Sequence, residues 1–247
     1  MTAEIEKGFD DFTKLWKNEF PGVIADLDAH RAIYLQSYSR IASMNAWRAS
    51  VLDGKISAGS LEFFAEAIND ALVSHIWARF GAWRSALMSL RSCIENTVYS
   101  LYYKDHPIEL TLWENGKHRP TFSEVHTYLA GHPEIEPLAA SPVTGLAAIK
   151  GEYGMLSRAV HASAKSFRMS ASMHHVVFWT SDATSLGQWR TRERHVLTAL
   201  NLLLLSIFRT HLQGTQRRGL RTAVANLLSS PLRNRAKTEL KINLPTS

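Results

Sequence analysis

The chain has 247 residues, of which 45% are hydrophobic and 20% charged, with a formal net charge of +6. That length and balance bury a sizeable core and exclude a disordered chain. Its 13 Gly and 8 Pro argue against a turn-rich all-β fold, and its single cysteine excludes an internal disulfide framework and a cysteine zinc site.

The first residues, MTAEIEKGFDDF, lack the basic and apolar regions of a secretory signal, so the expected compartment is the cytoplasm. Residues 4–18 read as a short amphipathic helix stopped by Pro21-Gly22. Residues 23–52 read as one long helix with Ile24, Leu27, Ala32, Leu35, Tyr38, Ile41, Met44 and Trp47 near one stripe. Asp53-Gly54 is its stop. Ser57 or Ser60 caps a helix over 60–104 that bends or breaks at Phe80-Gly81. Beyond the break, Trp83, Leu87, Leu90, Ile94, Val98 and Leu101 continue an apolar stripe begun at Phe80. Cys93 falls on an apolar face and reads as a core thiol.

The segment 105–145 is irregular and holds five prolines, with short helices expected near 107–115 and 121–130. A further helix is expected over 143–162. Residues 175–180, HVVFWT, have strand composition but stand alone. A strong helix follows over 187–213, ended by Gly214, then a short one over 217–229 and a basic tail from Pro231. The apolar run Val196–Phe208 is too short for the roughly 20 residues that span a bilayer, so no membrane partner is expected. The expected fold is an all-α helical bundle with long helices: one domain over 1–230 and a basic tail over 231–247.

Charge is concentrated late. Residues 194–247 hold nine Lys/Arg against one acid. Arg217, Arg218, Arg221, Arg233, Arg235 and Lys237 are the candidate nucleic-acid contacts, and a solvated helical face is the alternative.

Motifs for common chemistries are missing. The chain has no HExxH, CxxC pair, EF-hand loop, P-loop, GxGxxG or GxSxG, so no metal and no cofactor are expected. What remains is two polar sets at helical spacing. Arg84, Arg91 and Glu95 share one helix face; Tyr153, Ser157 and His161 share another. Polar groups beside a core stripe must find partners or do chemistry. A histidine can act as general acid or base near neutrality, and an arginine beside it can hold a phosphate. The pair would suit cleavage of RNA by its own 2′-hydroxyl. The alternative is a hydrogen-bonded cluster that ties two helices together. Arg168 with His174, and Arg190 with His195, are competing arginine–histidine pairs of looser spacing.

The run Arg91-Ser92-Cys93-Ile94-Glu95-Asn96, followed by Tyr102-Tyr103 and Asp105-His106-Pro107, resembles bacterial helical proteins of the HEPN superfamily. So does YGMLSRAVH, Tyr153 to His161. The resemblance covers about 80–165 and implies a HEPN-like core over about 60–213; several such proteins are abortive-infection or toxin components of phage-defence loci. It implies an all-α bundle, frequent homodimers and, in active members, a metal-independent endoribonuclease site. That site places an arginine, a polar residue and then a histidine after four to six intervening residues. On this chain His161 matches the histidine and Ser157 the polar residue, while Leu156 stands at the arginine position. Arg91 or Arg158 would then supply the cation. Arg168 to His174 meets the spacing with Met169 and Ser170 after the arginine. The implied catalytic set is Arg91, Glu95 and His161, supported by Arg84, Asn96, Tyr153 and Ser157. The implied role is an antiviral-defence effector that acts on RNA, or else a non-catalytic binding or assembly subunit of a defence complex.

Overall fold

Apolar residues at three- and four-residue spacing form helices throughout the computed structural model, which describes residues 2–160, 179–212 and 217–245. Among the described residues there is no strand, and the helices pack together as an all-α bundle. Of the segment 175–180, residues 175–178 lie outside the described residues, and Trp179 and Thr180 belong to no regular element.

The N-terminal half departs from expectation at its joints. Helix α1 spans Ala3–Asp28 and continues through Pro21. Proline removes one N–H from the ladder, but Val23 and Leu27 beyond it pack against the core and hold the last turn in place. The break comes instead at Ala29-His30, and α2 spans Arg31–Trp47. The buried stripe of α2 is also turned. Leu35 and Tyr38 are 54% and 58% exposed, while Tyr34, Ser37 and Arg40 face inward with Ile41, Met44 and Trp47. A single π-helical turn over Arg48–Leu52 buries the adjacent Val51 and Leu52.

The central elements match the pattern closely. Ser57 caps α3, Ala58–Arg79, by accepting from the Ser60 N–H at 3.3 Å. The chain breaks at Phe80-Gly81 and resumes as α4, Trp83–Asp105. Gly81 has φ +69°, and a Cβ there would lie 2.5 Å from the Thr180 carbonyl oxygen, so the turn requires glycine. Trp83 Nε1 donates to that same carbonyl at 3.0 Å, which pins the entry to α8 beside the start of α4. Cys93 is fully buried, and burial pushes its thiol pKa upward.

Two short helices, α5 (Pro107–Glu114) and α6 (Phe122–Ala130), cross the irregular middle. Thr121 and Glu124 form a capping box at the start of α6. Helix α7 spans Leu146–Val160. The preceding Gly145, at φ +71°, lets the chain pass so close to α8 that any Cβ would fall on the Ala199 carbonyl. Helix α8, Ala183–Ile207, begins earlier than the apolar pattern indicates because Asp182 caps it, accepting from the N–H groups of Thr184 and Ser185.

The basic C-terminal stretch is folded. Helices α9 (Arg218–Ala225) and α10 (Ser230–Glu239) are followed by the buried Leu240, Ile242 and Leu244. Pro231 is in the first turn of α10, where its missing N–H has no helical partner to lose. The stretch expected as a basic tail from Pro231 is therefore partly core.

Helix α4 packs on α3, α7 and α8, and α8 also meets α2 and α7. The α2–α8 contact holds an ion pair: Arg40 Nε donates to Glu193 Oε2 at 2.7 Å, with both side chains almost wholly buried. Burial raises the pKa of Glu193, and Arg40 opposes that rise. Removing either partner strands a buried charge. Glu193→Ala and Arg40→Ala are each expected to cost about 3–5 kcal/mol, and the double variant with apolar replacements less than their sum. Urea unfolding of the three variants measures this coupling.

Candidate functional site

Helices α4 and α7 bring the two polar sets face to face. Arg91 on α4 is the hub. Its Nε donates to Ser157 Oγ at 3.2 Å, and its Nη2 donates to Glu95 Oε1 at 2.9 Å and to the Tyr153 hydroxyl at 2.7 Å. The guanidinium carbon stands 4.9 Å from the centre of the Tyr153 ring. Tyr153 donates in turn to Glu95 Oε1 at 3.0 Å, and Ser157 donates to the Tyr153 carbonyl at 2.8 Å. Phe122 of α6 stacks on the other side of Tyr153, with ring centres 3.6 Å apart. Burial, more than any other cause, raises the pKa of the Tyr153 hydroxyl, which keeps its proton for Glu95.

The cluster is neither sealed nor fully solvated. Arg91 and Glu95 each keep about a quarter of their side-chain surface exposed. Four of the seven expected site residues are therefore in one hydrogen-bonded network. Arg84 lies two turns earlier on α4, and its Nη2 donates to the Val160 carbonyl at 2.6 Å. That bond pins the C-terminal end of α7 against α4. His161 follows directly and lies outside the described residues, as do Arg168 and His174.

Asn96 turns the other way. Its Nδ2 donates to Asp70 Oδ2 on α3 at 2.7 Å, not to the Arg91 network. Leu156, at the arginine position of the HEPN-like motif, is buried in the core. Arg158 is exposed, and its guanidinium meets Met155 Sδ on its own helix. Arg91, by contrast, occupies the face beside Ser157.

No protein-family model, curated protein or solved structure matches this chain. What the side chains can do is accordingly argued from their geometry. An arginine held by two hydroxyls and one carboxylate is preorganised, because its rotamer is fixed before any anion arrives. Among the described residues no three His, Cys, Asp or Glu side chains are grouped to hold a metal. No described helix is long and apolar enough to cross a membrane.

Other polar clusters serve different ends. Arg190 and His195 are not partners: Arg190 donates to Gln36 at 3.2 Å, while His195 Nδ1 is 3.0 Å from Glu152 Oε1. Arg192 donates to the same oxygen at 2.8 Å. Glu152 thus ties α7 to α8 as Tyr153, the next residue, ties α7 to α4. Sequence spacing missed Glu152, although its place next to Tyr153, about 100° further around the same helix, was the available signal. Ser37 Oγ and His75 Nδ1 are 3.0 Å apart, but Ser37 is fully buried, so the pair is a strut between α2 and α3 and not a nucleophile at a surface.

The six basic C-terminal candidates divide. Arg221 donates to the Leu212 carbonyl, Arg233 donates to the Ala225 carbonyl, and Arg235 pairs with Glu239. Arg217 is half-buried, and Arg218 and Lys237 are exposed. Nearby, a cleft of about 860 Å³ lies between α2, α8 and the α9–α10 connection, with Arg194, His195, Leu202 and Leu228 in its walls.

Asp70 supplies a pH signature for this end of the bundle. Burial raises its pKa to about 6, against the hydrogen bond from Asn96. A carboxyl whose folded pKa is raised favours folding while protonated in both states, and that contribution is lost as pH rises through the folded pKa. Asp70→Asn keeps an acceptor for Asn96 and is expected to raise the melting temperature at pH 7. The advantage should shrink between pH 6 and pH 4 and vanish below. Thermal melts of both proteins across that range test it.

Proposed function

We propose that this chain is a HEPN-like effector of bacterial antiviral defence that works in the cytoplasm as a metal-independent endoribonuclease. The observation that carries the reading is the Arg91–Glu95–Tyr153–Ser157 network on the facing sides of α4 and α7. The all-α fold and the recurrence of the motif residues in one cluster support it.

In this reading Arg91 holds the scissile phosphate and offsets the charge that gathers on it in the transition state. Glu95 and Ser157 fix the guanidinium; they are positioning residues. His161 removes the proton of the 2′-hydroxyl or delivers one to the leaving 5′-oxygen. Proton movement of that kind works best with a group that titrates near neutrality, which histidine does. Exposed Arg218 and Lys237 would hold the RNA backbone away from the site.

The test is incubation of cellular RNA with purified wild type, His161→Ala and Arg91→Ala in EDTA, after circular dichroism shows equal folding. Wild type is expected to cleave, and each variant to lose at least 100-fold in rate. Equal cleavage by wild type and His161→Ala would overturn the assignment of the histidine. RNA binding should also weaken with salt, with a log–log slope of about −0.7 per phosphate contact.

A second reading is a non-catalytic assembly subunit, a homo-oligomer or part of a defence complex. One observation favours it: Ile5 and Phe9, four apart on one face of α1, are 57% and 67% exposed. Phe9→Glu is expected to shift the sedimentation coefficient toward the monomer if α1 assembles the protein, and to leave it unchanged otherwise.

A further inference from the structure

The cleft of about 860 Å³ between α2, α8 and the α9–α10 connection shares no residue with the Arg91 network. Its size falls within the roughly 300–1,000 Å³ of small-molecule sites. Arg194, Thr198 and Leu202 line it from α8 at four-residue steps, which places them on one helix face. That face runs for about 12 Å, from a charged end to an aliphatic one. Pro142, Ala148 and Ala199 continue the apolar lining, with Leu227, Leu228 and Leu232 from the α9–α10 connection and the first turn of α10. Leu35, an exposed apolar residue of α2, belongs to the same lining. Among the described residues no Phe, Tyr or Trp lines the cleft, so a nucleobase finds nothing to stack on.

The charged groups set the sign of a ligand. The lining holds Arg40, Arg194 and His195 and, among the described residues, no carboxylate. Glu193 offsets Arg40 through Nε and Nη2, which leaves Nη1 as the remaining donor of that buried guanidinium. His195 is held through Nδ1 by Glu152, which also pairs with Arg192. Arg194 is exposed and makes no ion pair among the described residues. One lining cation is therefore uncompensated, and it calls for one negative charge. The hydroxyls and amides of Gln36, Ser39, Thr198, Asn226 and Ser229 each donate or accept, so they admit a polar head without selecting its charge. Helix α10 starts at the same wall, and Ser229 leaves its first turn without a side-chain cap, which adds to the positive potential.

We propose that this cleft binds a fatty carboxylate, a single aliphatic chain with one carboxylate head. The head lies at the Arg194–His195 end, and the chain runs along α8 toward Leu202 and Leu228. Removing the chain and the leucine lining from water together drives the binding, and the head fixes its direction. A bare inorganic anion would leave the leucines uncovered. A phosphomonoester carries close to two charges at neutral pH and would leave one of them without a counter-ion. An alkylammonium would meet Arg194 with a like charge. The site is independent of the role proposed for Arg91, so either can stand without the other.

The test is calorimetric titration of the full chain with decanoate, below its micelle concentration, beside butyrate, decanol and decyltrimethylammonium. Butyrate lacks the chain, decanol lacks the charge and the ammonium carries the wrong one. Decanoate is expected to bind about 10-fold more tightly than each of them, and to raise the melting temperature. Arg194→Gln should weaken decanoate about 10-fold and leave decanol unchanged, a split that a purely structural arginine would not give. Ala148 is exposed on the α7 wall, so Ala148→Trp fills the cleft from outside the core and should abolish decanoate binding. If that variant melts lower than wild type, Leu227→Gln, at a half-buried wall position, takes its place and should weaken decanoate about 5-fold. No binding of decanoate, equal binding of decanol or the ammonium, or affinity unchanged in the wall variant that folds would overturn the proposal. Phosphatidylglycerol vesicles separate a free chain from a lipid surface. Sedimentation with the vesicles, without binding of free decanoate, would assign the charge to a membrane surface and overturn the fatty-carboxylate site.

Discussion

The buried Arg40–Glu193 pair sets the frame on which the candidate site is built. It lies between α2 and α8 with almost no access to water. Such a pair tolerates little displacement, since any separation leaves two charges in a medium that solvates neither. Its neighbours add directional bonds: Trp189 Nε1 donates to Ser74 Oγ at 3.0 Å, and Trp47 Nε1 donates to Asn201 Oδ1 at 2.9 Å. These contacts fix where α8 sits along α2 and α3. Helices α4 and α7 both rest on α8, so their mutual register follows from it. Leucine packing alone specifies that position weakly, because Leu202 to Leu205 are all buried and present the same side chain on every side of α8.

That register decides whether Arg91 meets Tyr153 and Ser157 or passes them. Gly145 permits the close approach of the α7 entry to α8, and the Arg84 bond to Val160 ties down the α7 exit. Between these two points every polar group on the inner side of α7 has a partner helix. Glu152 faces α8, and Tyr153 and Ser157 face α4. Alternate partners on one helix resist rotation about its axis, since turning toward one would break bonds to the other.

Much of this was legible in the sequence where the physical signal is local. The Phe80-Gly81 break, the Ser57 cap and the α4 apolar stripe follow from residue types whose conformational preferences are strong. Spacing places Arg91 with Glu95, and Tyr153 with Ser157, on one helix face each, while the expectation that the two faces meet rests on the HEPN-like resemblance alone. The misses have a common cause. Ala29-His30 carries no Gly or Pro, so the α1–α2 break is imposed by packing on α3 and not by the backbone. Pro21 reads as a stop, yet α1 continues through it, and the cost of about 3 kcal/mol for an interior proline is offset by the packing of both Val23 and Leu27 beyond it. The stripe of α2 was misjudged because a buried Arg40 looks like a surface residue until Glu193, 153 positions later, is seen to meet it. The C-terminal stretch reads as a solvated tail because its basic residues outnumber the spaced Leu240, Ile242 and Leu244 that dock it.

The Arg91 network also explains how a charged cluster can sit at a half-buried helix interface without destabilising it. Glu95 neutralises the guanidinium within its own helix, so the interface carries no net charge from the pair. Tyr153 and Ser157 then satisfy remaining polar atoms with groups that need not be desolvated as ions. The same neutrality constrains any anion that approaches. It must compete with Glu95 for the arginine, or add to the donors that Glu95 leaves free. Exposure of about a quarter of both side chains allows the second route, because an anion can approach from the open side while the first bonds persist. An arginine held in this way loses little freedom when it binds, so more of the interaction is available to stabilise charge that develops on the ligand. That saving applies to any anion seated there, whether its charge is fixed or changing.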